Sequence, residues 1–342
     1  MYRKLILTVV LAVFLLPVVA SAQVSEAGKP TKEINDAYVS GLTVLSRDTV
    51  WILSGLVFVE DGNVLVIEPG TIVKAKPGQD VNSSALVVAR GGKLYAEGTP
   101  QNPIIFTALS DDVDDPNDIA FDETGRGLWG GVILLGRATI NTATGVGQIE
   151  GIEETETRGA YGQVPGIDDD CSGILRYVSI RHGGTEIGAA NEINGLTMGA
   201  VGSGTVIDHV EVFMNKDDGF EWFGGTVNCR NIVASWCGDD SFDYDEGFRG
   251  RGQYWFTYLA SDAGNRCGEH DGGTDPKDGT PYAVPVISNV TYLGSGAGSG
   301  YLDNDYIFKI RDNAGGKYYN SIFADIADRA IDVEDLVSGE DS

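Results

Sequence analysis

Apolar residues in this chain gather in runs of four or five, each closed by a turn, and not at the spacing of a helix face. Val50–Leu53, Leu56–Val59, Val64–Ile67, Thr71–Lys74, Ala85–Ala89, Lys93–Ala96 and Ile104–Thr107 are such runs. Asp61-Gly62-Asn63, Glu68-Pro69-Gly70, Gly91-Gly92 and Gly98-Thr99 separate them. β-Branched runs bounded by Gly, Pro, Asn and Asp predict short strands. Many short strands with Gly-rich turns suit a sandwich, a barrel or a solenoid.

Internal repetition selects the solenoid. Asp217-Asp218-Gly219-Phe220-Glu221-Trp222 recurs 22 residues later as Asp239-Asp240-Ser241-Phe242-Asp243-Tyr244. The preceding strands keep that offset, His209–Val212 against Asn231–Ala234, and Arg176–Ser179 matches one coil further back with extra turn residues. A repeated unit of this length predicts a right-handed parallel β-helix with coils of about 22 residues, stacked at roughly 4.8 Å. Ser110–Arg126, Glu153–Asp170 and Gly264–Thr280 interrupt the pattern as insertions. Tyr318–Phe323 and Ile331–Glu334 read as further strands with no cap after them, so the chain is expected to be truncated at its C-terminus.

The N-terminus sets the compartment. Arg3 and Lys4 precede an apolar run from Leu5 to Ala20, and Ala20-Ser21-Ala22 has the small residues of a cleavage site. That order is a secretory signal peptide, too short for the roughly 20 residues of a spanning helix. The expected organisation is a signal peptide at 1–22, an N-terminal linker or cap at 23–45 and the β-helix at 46–342. The protein is then exported, secreted or at the cell surface, with the periplasm as a further option and no membrane span after cleavage. Losing Arg3 and Lys4 takes the net charge from −26 to −28. Such a chain repels phosphate backbones, which excludes nucleic acid as a partner. The four cysteines, Cys171, Cys229, Cys237 and Cys267, permit two disulfides in an exported chain. No CxxC pair points to zinc or redox work.

Several segments carry a resemblance. Val64–Thr71 with Leu94–Thr107, Trp129-Gly130-Gly131-Val132, Asn191–Thr197, the tandem Asp-Asp coils and Phe308–Tyr319 resemble a family of exported bacterial parallel β-helix repeat proteins without assigned activity. The resemblance spans nearly the whole mature chain and implies the parallel β-helix and export.

The acidic coils hold the candidate chemistry. Asp217, Asp218 and Glu221 should lie one strand spacing from Asp239, Asp240 and Asp243, with Asp245 and Glu246 at the same corner. Stacked carboxylates raise one another's pKa or take up a cation, and calcium is the expected cofactor. A second reading is glycoside hydrolysis. The order Asn215, Asp218, Asp239-Asp240, His270, Lys309-Ile310-Arg311 is similar to that of polygalacturonases, which are themselves β-helices. That similarity implies Asp240 as general acid, Asp218 and Asp239 as water activators, and Lys309 and Arg311 as holders of a uronate. It departs from the pattern at His270, flanked by acids and not glycines, and at the reversed basic pair. A pectate-type lyase is a variant, with Arg249 or Arg251 as base. The bland reading is that the Asp side chains cap turns.

Aromatic residues crowd these coils. Alternation makes Phe220, Trp222, Phe242 and Tyr244 an internal ladder. Along Tyr254–Tyr258 one alternate set faces outward, so Tyr254, Trp255 and Tyr258 are the candidate sugar platform. His209, in mid-strand, reads as a packing residue, while His182 ends a strand and its role is open. The leading expectation is a non-catalytic β-helix presenting an acidic binding or adhesive surface to polysaccharide or cell-surface glycan. The alternative is an enzyme degrading uronate-containing glycans.

Overall fold

Parallel register links every coil to the next. In a computed structural model, which describes residues 24–79, 82–185, 193–299, 301 and 303–334, Phe220 pairs with Phe242 and Val206 with Asn228, the 22-residue offset read from the sequence. The signal peptide expected at 1–22 and residues 335–342 lie outside the described residues. The chain forms a parallel β-helix whose coils each contribute three short strands, one to each of three faces. Val50–Leu53, Leu56–Val59 and Val64–Ile67 make one coil; Ile72–Ala75, Ala85–Val88 and Lys93–Glu97 make the next. The first face begins with Thr31–Ile34, which pairs with Val50–Leu53, and the third with Leu42–Leu45, which pairs with Val64–Ile67. Solenoid pairing therefore starts inside the segment expected to be a linker or cap.

The corners repeat as strictly as the strands. Tyr177, His209, Asn231, Tyr254, Asn289 and Asn320 occupy one corner, between the third and first faces, all with φ between 48 and 59°. Left-handed backbone is uncommon outside Gly, and Asn and His tolerate it best. Here it turns the chain by one residue without breaking the flanking pairing, so Gly173–Arg181, Val206–Phe213 and Asn228–Ser235 run across two faces.

Inward alternates fill the core. Phe220, Trp222, Phe242, Tyr244, Phe248 and Trp255 are buried, and the Trp222 and Trp255 rings stack 5.0 Å apart at 3°. All four cysteines are free, correcting the disulfide expectation. Cys229, Cys237 and Cys267 are buried side chains, and burial pushes the Cys229 and Cys237 thiols up to about 12.

The second face has a covered exterior. Phe58, Val87 and Ile133 point outward there, yet are buried because Ile140, Ile149, Ile152 and Tyr161 pack over them from the long insertion, which spans the whole connection between Val132–Leu135 and Gly173–Arg181 and so begins before the expected Glu153–Asp170. Gly199 makes room for this layer: a Cβ there would lie 2.8 Å from the Tyr161 ring. Arg249 pairs with Asp168 at 3.0 Å and holds the end of the insertion down. The expected insertion Gly264–Thr280 is partly a coil: Gly268–Asp271 is a strand of the second face, with His270 opposite Tyr244.

Candidate cation site in the acidic column

One outward row of the second face changes character along the axis. Register aligns Phe58, Val87, Ile133, Thr197, Glu221 and Asp243, then Glu269, Lys309 and Asp332 in later coils. Its first members are apolar and sealed by the insertion, whereas from Glu221 onward they are charged. Lys216–Gly219 and Gly238–Ser241, the corners feeding these strands, add Asp217, Asp218, Asp239 and Asp240 beside them.

Two overlapping carboxylate triads result. Asp217, Asp218 and Asp239 each offer an oxygen within 4.8 Å of the others, and so do Asp218, Glu221 and Asp243. Calcium binds oxygen at about 2.3–2.6 Å, so opposite ligands stand roughly 4.6–5.2 Å apart. The triads fall within the reach of one such ion and share Asp218. Asp218, Glu221 and Asp240 are buried. The Asp240 Oδ1 and Asp243 Oδ1 atoms are shielded and have no hydrogen-bond partner among the described residues. Burial first, then repulsion from neighbouring carboxylates, pushes the Asp218, Glu221, Asp240 and Asp243 carboxyls well above their usual range.

The insertion reaches into this cluster. Asn194 donates its amide to Glu150 at 2.7 Å and also to Glu221. Glu150 in turn lies against Glu221 and raises its pKa. Neighbouring coils solve the same problem with arginine. Arg311 pairs with Glu269 at 2.6 Å and with both oxygens of Asp271 at 2.5 and 2.8 Å. Arg266 pairs with Glu269 at 2.7 Å and stands 3.7 Å from Asp240. Neither arginine forms an ion pair with Asp218, Glu221 or Asp243. Asp218, Glu221 and Asp243 are thus the part of the column that neither arginine reaches.

The expected catalytic set divides. Asp218, Asp239 and Asp240 do come together, and Lys309 and Arg311 share their face in a later coil. His270 does not join them. It is 1 % exposed, stacks on Tyr244 at 4.0 Å and on Phe308 at 5.3 Å, and faces the core because it alternates with Glu269 and Asp271. Its Nδ1 donates to the Glu269 carbonyl at 2.7 Å, so Nε2 accepts from Tyr318 Oη at 2.8 Å. Burial pushes its pKa down to about 3, leaving a neutral packing group.

The sugar platform divides as well. Trp255 is buried and donates its indole N–H to the Cys229 carbonyl at 2.9 Å, while Tyr254 and Tyr258 are exposed. Tyr254 sits at the corner between the third and first faces and Tyr258 on the first, away from the acidic column. Arg251 is also on the third face, whereas Arg249 is committed to Asp168.

Glu150, Asn194, Arg266 and Tyr161 are site residues that sequence reasoning did not single out. Only Asn194 had a trace, inside the Asn191–Thr197 motif. The rest come from insertions that the 22-residue period does not register.

Fold and column together define a parallel β-helix with a covered, acid-lined second face. The pectate-lyase-like β-helix domain model matches residues 37–340, and the chain belongs to that family. No curated protein and no solved structure matches it. Among the described residues no helix is long and apolar enough to cross a membrane.

Proposed function

We propose that this chain is an exported, non-catalytic binding scaffold that holds calcium in its acidic column. The observation that carries this is the shielded Asp218–Glu221–Asp243 triad, which lacks an arginine and contains an unpartnered Asp243 oxygen. A divalent ion there would balance charge that otherwise must be protonated, and would tie Glu150 of the insertion to the coils. Polysaccharide or cell-surface glycan is the partner class, presented to the rigid faces of the solenoid.

Two observations weigh against the uronate-cleaving alternative. Of the carboxylates named for acid and base roles, Asp218 and Asp240 are covered by protein, and the histidine named with them is part of the core. The signal-peptide reading of residues 1–22 supports export.

Calcium titration by calorimetry, with thermal melts in EDTA and in millimolar calcium, tests the proposal. At a hundred-fold excess over Kd the gain is about 2.7 kcal/mol, which raises Tm by roughly 4 °C for a chain of this size. No heat of binding and equal melting temperatures would overturn it.

A further inference from the structure

The first face is roofed where the insertion at 110–126 crosses it. Val178 and Ile180 face the core, so alternation turns Ser179 and Arg181 outward. Glu211 and Phe213 stand beside them as register partners in the next coil. Asp111, Asp118 and Phe121 of the insertion lie over this patch, and His182, next in the chain after Arg181, completes the lining. Between floor and roof is a cavity of about 220 Å³. Asp114 fastens the roof to the N-terminal segment: it accepts the Ser25 hydroxyl and the backbone N–H groups of Glu26 and Ala27 at 3.0, 3.1 and 3.0 Å.

Two opposite charges in this cavity are held apart. Arg181 Nε donates to Ser179 Oγ at 2.8 Å, and that hydroxyl donates to Glu211 Oε2 at 2.7 Å. The serine is 5 % exposed and stands between the guanidinium and the carboxylate. Arg181 forms no ion pair among the described residues, and its two Nη groups have no hydrogen-bond partner there. His182 is buried, and its Nδ1 donates to the Gly125 carbonyl at 2.7 Å. Its Nε2 is therefore an acceptor, again without a partner among the described residues. Burial pushes the His182 pKa down and keeps the ring neutral.

The lining selects among ligands. Asp111, Asp118 and Glu211 outnumber Arg181, so a bare anion is repelled. A bare amine would leave the guanidinium without a partner in a partly desolvated place. A molecule carrying both charges close together answers both groups. Its carboxylate takes the free side of Arg181, and its ammonium takes Glu211 and Asp118. Phe121 and Phe213 meet edge to face at 6.0 Å beside these charges and offer an apolar surface. Drug-sized ligands fill roughly 300–1,000 Å³, so this smaller cavity takes a smaller molecule.

We infer that the cavity binds a free α-amino acid with an apolar side chain. Its carboxylate lies on Arg181, its ammonium on Glu211 and Asp118, and its side chain against Phe121 and Phe213. The inference stands apart from the calcium reading, since none of these residues belongs to the acidic column.

Calorimetric titration of the full chain in EDTA, where the acidic column holds no calcium, uses L-phenylalanine, L-leucine, phenethylamine and phenylpropionate. At least one of the two amino acids should bind, about tenfold or more tighter than the amine or the acid, each of which lacks one charge. Arg181→Gln and Glu211→Gln should each weaken that binding about tenfold. Phe121→Ala alters an exposed ring outside the coils and should weaken it as well, which guards against a folding defect in the two strand variants. Lys317→Gln, exposed on the third face, should leave it unchanged. Binding of neither amino acid, an amine or acid that binds as tightly, or wild-type affinity in either Arg181→Gln or Glu211→Gln would overturn the inference.

Discussion

The Asp218 carboxylate accepts the backbone N–H of Asp240, one coil further along, at 2.8 Å. A side chain that faces a cluster of acids is thereby also a rung between coils. Each coil in a solenoid is held by its neighbours, so the charge state of Asp218 bears on the stacking itself.

The pH dependence of stability follows from the raised carboxyls. A group whose folded pKa lies above its unfolded value keeps its proton on folding, so the folded state binds more protons and stability falls as pH rises. Asp218, Glu221, Asp240 and Asp243 all shift this way. In EDTA the melting temperature should therefore be higher near pH 5 than near pH 8. Calcium should reverse most of that loss and act more strongly at the higher pH, because protons and calcium compete for the same oxygens. Melts across this range in both buffers check it, and a calcium effect that shrinks with rising pH would count against the column as the site.

Asp243→Asn separates the repulsive from the ligating role of one side chain. The substitution keeps shape and removes a charge whose Oδ1 has no partner. In EDTA at pH 8 the variant should melt above wild type by roughly 1–2 °C, the shift that relief of about 1 kcal/mol gives in a chain of this size. In saturating calcium the order should invert. Melting below wild type in both buffers would show that Asp243 stabilises the fold by contacts other than to a cation.

The fold was legible because identity repeated at a fixed offset. Phe220 and Phe242, Glu221 and Asp243, and Trp222 and Tyr244 are register partners as the period required. The outer coverage was not legible. In Ala85–Val88 and Val132–Leu135 every residue is buried, so alternation gives no sign of which face is interior or that an insertion lies over the other. His270 misled for a related reason. Its acidic neighbours Glu269 and Asp271 suggested a loop, yet strand alternation sends them outward and the imidazole inward.

His270→Ala should behave as a core deletion. The ring lies between Tyr244 and Phe308 and accepts the Tyr318 hydroxyl, so truncation leaves both a cavity and an unpartnered buried hydroxyl. A loss of about 3–5 kcal/mol is expected, with calcium affinity within a few-fold of wild type. Denaturant unfolding together with calcium titration checks it. A stable variant that had lost calcium binding would place His270 in the site after all.

Tyr161→Phe tests how the insertion is fastened. The Tyr161 hydroxyl donates to Glu246 Oε2 at 2.9 Å, and the tyrosine belongs to the layer covering the second face. Burial, then repulsion from Asp245, lifts the Glu246 carboxyl to about 7, with the tyrosine hydrogen bond acting to lower it. Glu246 therefore contributes stability that is fully present below about pH 4.5 and is lost as pH rises through 7. Removing the hydroxyl lifts that pKa further, so the variant loses more on ionisation. Its penalty should be about 1 kcal/mol near pH 5.5, where a neutral carboxyl is hydrogen-bonded, and nearer 2–3 kcal/mol at pH 8.5, where the bond is to a charge. The same pH rise should increase amide exchange in Gly147–Gln148 and Ala160–Tyr161, the short pair within the insertion. Melts and hydrogen exchange at the two pH values measure both effects. A penalty that does not grow with pH would mean that Glu246 is not the group through which Tyr161 holds the insertion down.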